Sequence, residues 1–335
     1  MGERDPVEAR SQGGRDLYDV ATWEPRSALD RLALKVYGAA LAVGKWFVVL
    51  LALVFTALIG VFGALTDPII GAFTVLSVIP ALALAGYVYY ADITSGEPLW
   101  LLTATFVLSI FFASFAAIIN SVFGGLQLLG PVGFVLFFYL VVGPVEESVK
   151  LLAVRLYAYR DDRFDAVIDG AVYGAVAGLG FAFVENAIYI NRGLEMSPGG
   201  GPETQLATAG GTAALRALAG PGHVVYSAFA GYYLGLAKFN PENAGPIVAK
   251  GLLIAAFIHA TYNTLVSVVP SVAVAAFDAV PQFVVFFVFV LIYQGFFGYL
   301  LYRKIARYRN AYREVRTEAE RKDGDIGVET TEFDS

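Results

Sequence analysis

The sequence contains no cysteine in its 335 residues. Disulfides, thiolate nucleophiles and Cys-ligated metal sites are therefore excluded. Charge is scarce as well: Asp, Glu, Lys and Arg make up 16% of the chain, against 57% hydrophobic residues. Soluble domains carry roughly a quarter charged residues. The first 45 residues lack the short apolar core of a secretory signal peptide. Histidine occurs only twice. Neither is part of a His-Glu-x-x-His helix, so the single-helix zinc-protease pattern is missing. No Gly-x-Ser-x-Gly lies in a polar context, and Gly178-Leu179-Gly180 is too short and apolar for a nucleotide loop. The net charge of −6 is modest and gives no reason to expect a nucleic-acid partner.

What the chain has instead is apolar residues in blocks. Trp46–Leu65 and Leu99–Ile119 contain no charged residue. At 1.5 Å per residue, such a run crosses a hydrocarbon core of roughly 30 Å. The fold expected is an all-α polytopic transmembrane bundle with eight spans, near 46–65, 69–91, 99–121, 131–158, 166–190, 212–238, 246–269 and 280–302. Residues 1–45 form an N-terminal segment and 303–335 a C-terminal tail, flanking a membrane domain of 46–302. The Gly/Thr/Pro-rich stretch 191–211 reads as a mobile loop. Lys and Arg sort by side: seven in residues 1–45, three in 155–163, Lys238 and Lys250 in one loop, and eight after residue 302. With eight spans all of these share one face, so both termini are expected in the cytoplasm of a multi-pass cell-membrane protein.

Ionisable groups inside a bilayer are costly and face a cavity or a partner. Here they fall in four consecutive spans. Span four carries Glu146, Glu147 and Lys150; span five, Glu185 and Asn186; span six, Arg216 and His223; span seven, His259 and Asn263. Glu146 and Lys150 share a helix face, as do His259 and Asn263. Glu185 and Arg216 can pair across spans five and six. Gly143-Pro144 and Gly220-Pro221 precede the polar residues of spans four and six. A proline there is expected to kink or restart the helix, leaving amide N–H groups near the carboxylates. Gly170, Gly174 and Gly178 in span five, with Gly231 and Gly235 in span six, predict close helix packing. Asp165 and Asp169 stand where they can cap span five.

Two imidazoles and several carboxylates can hold zinc with an open position for water. They can equally activate water without metal, a glutamate serving as base and His or Asn as oxyanion donors. Either route hydrolyses an amide. A proton- or cation-coupled transporter would also place such groups at mid-membrane.

The ordered set Glu146-Glu147-x-x-Lys150, Phe181-x-x-x-Glu185-Asn186, His223 and His259-x-x-x-Asn263 resembles the PrsW family of intramembrane proteases. More distantly it is similar to the CAAX prenyl protease and bacteriocin-processing superfamily. The likeness covers about 140–270. It implies cleavage of a membrane-anchored protein substrate, such as an anti-sigma factor, or CAAX-type prenyl-protein processing. Carried over by position, Glu146 or Glu147 activates water, with Glu185 a second carboxylate. His223 and His259 are ligands or oxyanion donors, Asn263 an orienter or oxyanion donor, and Lys150 and Arg216 supports. A zinc ion held by Glu146, His223 and His259 and a metal-free glutamate mechanism both remain open.

Overall fold

A computed structural model describes residues 16, 18, 24–59, 61–93, 96–197, 199–276 and 281–329. Residues 1–51 and 52–335 form separate units. All the long elements among the described residues are helices: α1 (Ala28–Leu58), α2 (Val61–Thr66), α3 (Pro68–Ser77), α4 (Ile79–Ala91), α5 (Leu99–Phe123), α6 (Gly130–Phe137), α7 (Gly143–Leu156), α8 (Val167–Glu195), α9 (Pro202–Lys238), α10 (Ala244–Ala276) and α11 (Gln282–Glu329).

Among the described residues four helical stretches are long and apolar enough to cross a membrane: Leu99–Leu156, Val167–Glu195, Pro241–Ala276 and Gln282–Thr317. The pair α3 and α4, bent by 42°, makes a fifth. Three features separate this count from the eight expected. Leu99–Leu156 counts as one stretch but holds two of the expected spans, α5 and α6–α7, parted at Gly130, whose φ of 70° is not helical. The apolar stretch 46–65 is divided between α1 and α2. The long α9 carries Glu203, Arg216, Lys238 and many glycines. The α3–α4 bend has a local cause: Pro80 lies in the first turn of α4, just after the junction at Val78.

Two expectations about breaks need correction. At Gly143-Pro144 the helix is not cut. A five-residue π turn, Phe138–Val142, leads directly into α7, whose first turn holds Glu146. Such π bulges recur at functional sites. Pro221 lies inside a continuous α9. It removes one donor without ending a helix that is braced along its length by α8. The expected mobile loop 191–211 is also mostly helical, since α8 runs to Glu195 and α9 begins at Pro202.

The centre is α8, with 83% of its apolar window buried, against 11% for α11. Small residues explain the difference. A Cβ on Gly170, Gly174 or Gly178 would lie 2.2–2.3 Å from the carbonyl oxygens of Gly231, Ser227 and His223. The α8 and α9 backbones therefore touch, as the glycine spacing predicts. A Cβ on Gly143 would lie 2.6 Å from the Ala256 carbonyl, so α7 approaches α10 just as closely. Ser109 Oγ donates to the Ala177 carbonyl at 2.6 Å, fastening α5 to α8. These approaches draw α5, α7, α9 and α10 together with α8, and they set the polar groups within reach of one another.

Candidate active site

Glu146, Glu147 and Lys150 come from the first two turns of α7 and are all buried. Glu147 is fully satisfied. Its Oε1 accepts from Lys150 Nζ at 2.6 Å and pairs with His259 Nδ1 at 2.9 Å, and its Oε2 accepts from Ser227 at 3.1 Å. Lys150 Nζ also meets His223 Nδ1 at 3.0 Å and lies 4.3 Å from the centre of the Phe181 ring. On the far side of His223, Nε2 is 2.7 Å from Glu185 Oε2. That oxygen also accepts from Arg216 at 2.5 Å, and Arg216 reaches Asn186 at 2.8 Å. The expected Glu185–Arg216 pair is thus present, as part of a longer chain of contacts.

Tautomers follow from these partners. An ammonium only donates, so Nδ1 of His223 accepts and its Nε2–H points at Glu185. For His259 the carboxylate of Glu147 accepts from Nδ1–H, which leaves Nε2 as a lone pair. That Nε2 is 3.6 Å from Glu146 Oε2. The two imidazoles stand nearly perpendicular, 5.2 Å between centres, and His259 stacks on Tyr226 at 5.3 Å.

Glu146 differs from Glu147 in one decisive respect. Its Oε1 accepts from Asn120 of α5 at 3.0 Å, but its buried Oε2 has no hydrogen-bond partner. It also lines a cavity of about 640 Å³, together with Glu185, His223, Arg216, Asn263 and, at the α8 end, the exposed Arg192. Glu147, Lys150 and His259 form the wall behind. Asn263 lines the cavity without a hydrogen bond to the acids or imidazoles among the described residues.

A metal fits this donor set. Glu146, His223 and His259 each offer one atom, and these atoms lie within 4.8 Å of one another. One of the three carries the partnerless carboxylate oxygen, and two imidazoles with a carboxylate suit zinc. His223 would give up its Nε2 proton to join, the usual accompaniment of metal binding.

Sequence reading missed three contributors. Asn120 is a lone amide near the end of an apolar span, a signal that was there to be found. Ser227 lies one turn after His223 on the same face of α9, and its spacing alone made it a candidate. Tyr226 carried no signal apart from the abundance of aromatics.

Comparison with known proteins points to one family. Residues 97–294 match the model of the PrsW family intramembrane metalloproteases. Protease PrsW of Shouchella clausii is 29% identical over 189 residues, 56% of this chain and 80% of that protein. The Geobacillus kaustophilus protein of the same name is 30% identical over 202 residues, covering 56% and 76%. That of Bacillus subtilis is 29% identical over 191 residues, covering 56% and 79%. No solved structure matches.

Proposed function

The chain belongs to the PrsW family of intramembrane metalloproteases, and on that premise we propose that it cleaves a membrane-anchored protein of the anti-sigma-factor kind, with Glu146 as the residue that activates water. As a member it is an intramembrane protease; the substrate and the roles below are our reading. The observation that carries it is the contrast between neighbouring acids. Glu146 lines the cavity and keeps one buried oxygen without a donor, whereas Glu147 is bonded to three donors and does not line it.

In this mechanism Glu146 takes a proton from water held in the cavity. The water oxygen bonds to the scissile carbonyl carbon, and the carbonyl oxygen takes the negative charge. The amide of Asn263, which lines the cavity, is the donor for that oxyanion, joined by the Nε2–H of His223 as it turns from Glu185 to the substrate. Collapse breaks the C–N bond, and Glu146 returns its proton to the leaving nitrogen. Glu147 and Lys150 position the two imidazoles from behind, and Arg216 anchors Glu185. A zinc ion, if held by Glu146, His223 and His259, would supply Lewis-acid polarisation and a more acidic water.

The arrangement in the membrane is part of the same proposal. Eight crossings, with 1–45 and 303–335 cytoplasmic, keep the Lys/Arg-rich segments on one side. The protease domain is then 46–302, with its core near 140–270. Asn120 of α5 reaches Glu146 of α7, which supports a chain reversal near Gly124–Leu129 and hence two crossings within Leu99–Leu156. The cavity extends to Arg192, at the end of α8 away from the cytoplasm in this arrangement.

The test is cleavage of a labelled single-span anti-sigma-type protein in proteoliposomes. The wild type is expected to yield two fragments. Glu146→Gln should lower the rate by about 10²–10⁴-fold. Undiminished cleavage by that variant would remove Glu146 from the chemistry. Cation flux without cleavage by the wild type would favour the transporter reading.

A further inference from the structure

A second group of acids lies at the other end of α8. Asp92 and Glu97 come from the connection between α4 and α5, and Asp169 from the first turn of α8. Each offers a carboxylate oxygen, and these oxygens lie within 4.8 Å of one another. Asp169 and Glu185 are 16 residues apart on one helix, which at 1.5 Å per residue is about 24 Å. The cluster is therefore separate from the proteolytic site.

Clustered acids alone say little, because many are simply solvated. This cluster differs in the state of Glu97. The residue is only 3% exposed. Its Oε2 accepts from the hydroxyl of Tyr173, while its buried Oε1 has no hydrogen-bond partner. Among the described residues no Lys, Arg or His lies within ion-pair distance of it. The nearby cations are held elsewhere. Lys238 Nζ donates to the Tyr159 and Asp161 carbonyls and sits over the Phe164 ring. Arg163 grips Asp161 with two nitrogens and lies over Trp100. Asp169 is held in place as an acceptor, because its Oδ2 takes the backbone N–H of both Asp165 and Ala166. Asp165 and Tyr308 also face the group. Glu97 Oε1, buried and without a donor, is the atom left for an ion to satisfy.

We propose that Asp92, Glu97 and Asp169 form a binding site for a hard divalent cation such as Ca²⁺, tying the α4–α5 connection to the start of α8. The donors are all oxygens, the set preferred by Ca²⁺, Mg²⁺ and Mn²⁺ over zinc. Glu97 Oε1 is the group such an ion satisfies, and Tyr173 orients the other oxygen. The site needs no residue of the proteolytic centre, so it loads independently of it.

Terbium, a luminescent probe for Ca²⁺ sites, tests this on the purified full-length chain. Tyr173 is bonded to Glu97, and Trp100 follows three residues later, so excitation of either ring should sensitise a bound Tb³⁺. The expected result is Tb³⁺ emission in the wild type and equally in His259→Ala, displaced in both by excess Ca²⁺. Glu97→Gln should weaken binding at least tenfold. Asp92→Asn, at the more accessible edge of the cluster, should weaken it as well and guards against misfolding of the buried variant. Absence of emission in the wild type, or emission unchanged in Asp92→Asn, would overturn the site and leave a shared proton as the counterion. Emission lost only in His259→Ala would place the ion in the proteolytic centre and equally overturn it.

Discussion

The two ends of α8 bury acids in opposite ways. At one end Glu147 and Glu185 are matched by Lys150, Arg216 and the two imidazoles, with one oxygen, Glu146 Oε2, left without a donor. At the other end Glu97 has a tyrosine hydroxyl for company and no cation within ion-pair distance among the described residues. The first end keeps its charges in place with partners supplied by the chain. The second makes a place that an outside ion can fill. A buried carboxylate is thus not a function in itself. What distinguishes a scaffold acid from a working one is which of its oxygens lacks a donor, and whether that oxygen faces space or another acid.

The largest effect expected on this contrast comes from removing the compensation at the first end. Lys150→Met strips Glu147 of its ammonium partner inside the protein. Breaking a buried pair by deleting one member typically costs about 3–5 kcal/mol. The double variant Glu147→Gln/Lys150→Met removes both charges and should recover much of that loss, while activity stays low because His259 and His223 lose their orientation. Thermal unfolding in detergent measures both. A single variant as stable as wild type would mean that the pair is not a structural charge balance. A double variant less stable than the single would mean the same.

A middle-sized effect tests the packing that brings the network together. A Cβ on Gly178 would stand 2.3 Å from the carbonyl oxygen of His223. Gly178→Ala must push α9 away from α8 at the very residue that touches both Lys150 and Glu185. Overpacking of this kind costs about 1–3 kcal/mol. The rate of substrate cleavage should fall along with thermal stability. Gly86→Ala, where nothing lies within 4 Å of an added Cβ, serves as the neutral control. Equal behaviour of the two variants would count against the close α8–α9 contact.

Much of this was legible before any coordinates. Glu146, Glu147, Lys150, Glu185, His223 and His259 stand out because lipid tolerates none of them without partners, and their order along the spans carries the family likeness. The glycine spacing of α8 and α9 was legible for a similar reason, since only close backbones use it. Proline was misread. Pro221 sits in a helix that stays continuous, and near Pro144 a π turn accommodates what was expected to be a break. Single-sequence reasoning sees the lost donor but not the helices that compensate for it. The division of labour between Glu146 and Glu147 was equally hidden. It depends on Asn120, Ser227 and His259 reaching adjacent residues from three other helices. Asp169 reads as a cap, and it does cap α8, but nothing in the spacing said that Asp92 and Glu97 fold back onto it.

The smallest effect concerns an acid that sits at neither end, and it serves as a reference for both. Asp30, at the start of α1, is half-exposed and well supplied with donors. It accepts from the Tyr18 hydroxyl and from the Ser27 and Arg26 N–H groups, while Ser27 Oγ accepts the Asp30 N–H in return. This reciprocal exchange is a capping box in all but the identity of its acid. The Tyr18 hydrogen bond, followed by the bond from Ser27, draws the Asp30 carboxyl down to about 2. A folded-state pKa below the ordinary 3.8 means that the ionised form favours the folded end of α1. That contribution is complete above the ordinary value and disappears as pH falls through about 2. Carboxyl-carbon NMR should therefore show Asp30 titrating near 2 in the wild type and closer to 3.8 in Tyr18→Phe. Tyr18→Phe should not change substrate cleavage. A wild-type midpoint at the ordinary value would show that donors at the water's edge do not hold a carboxylate the way Lys150 and His259 hold Glu147, and the comparison would then rest on burial alone.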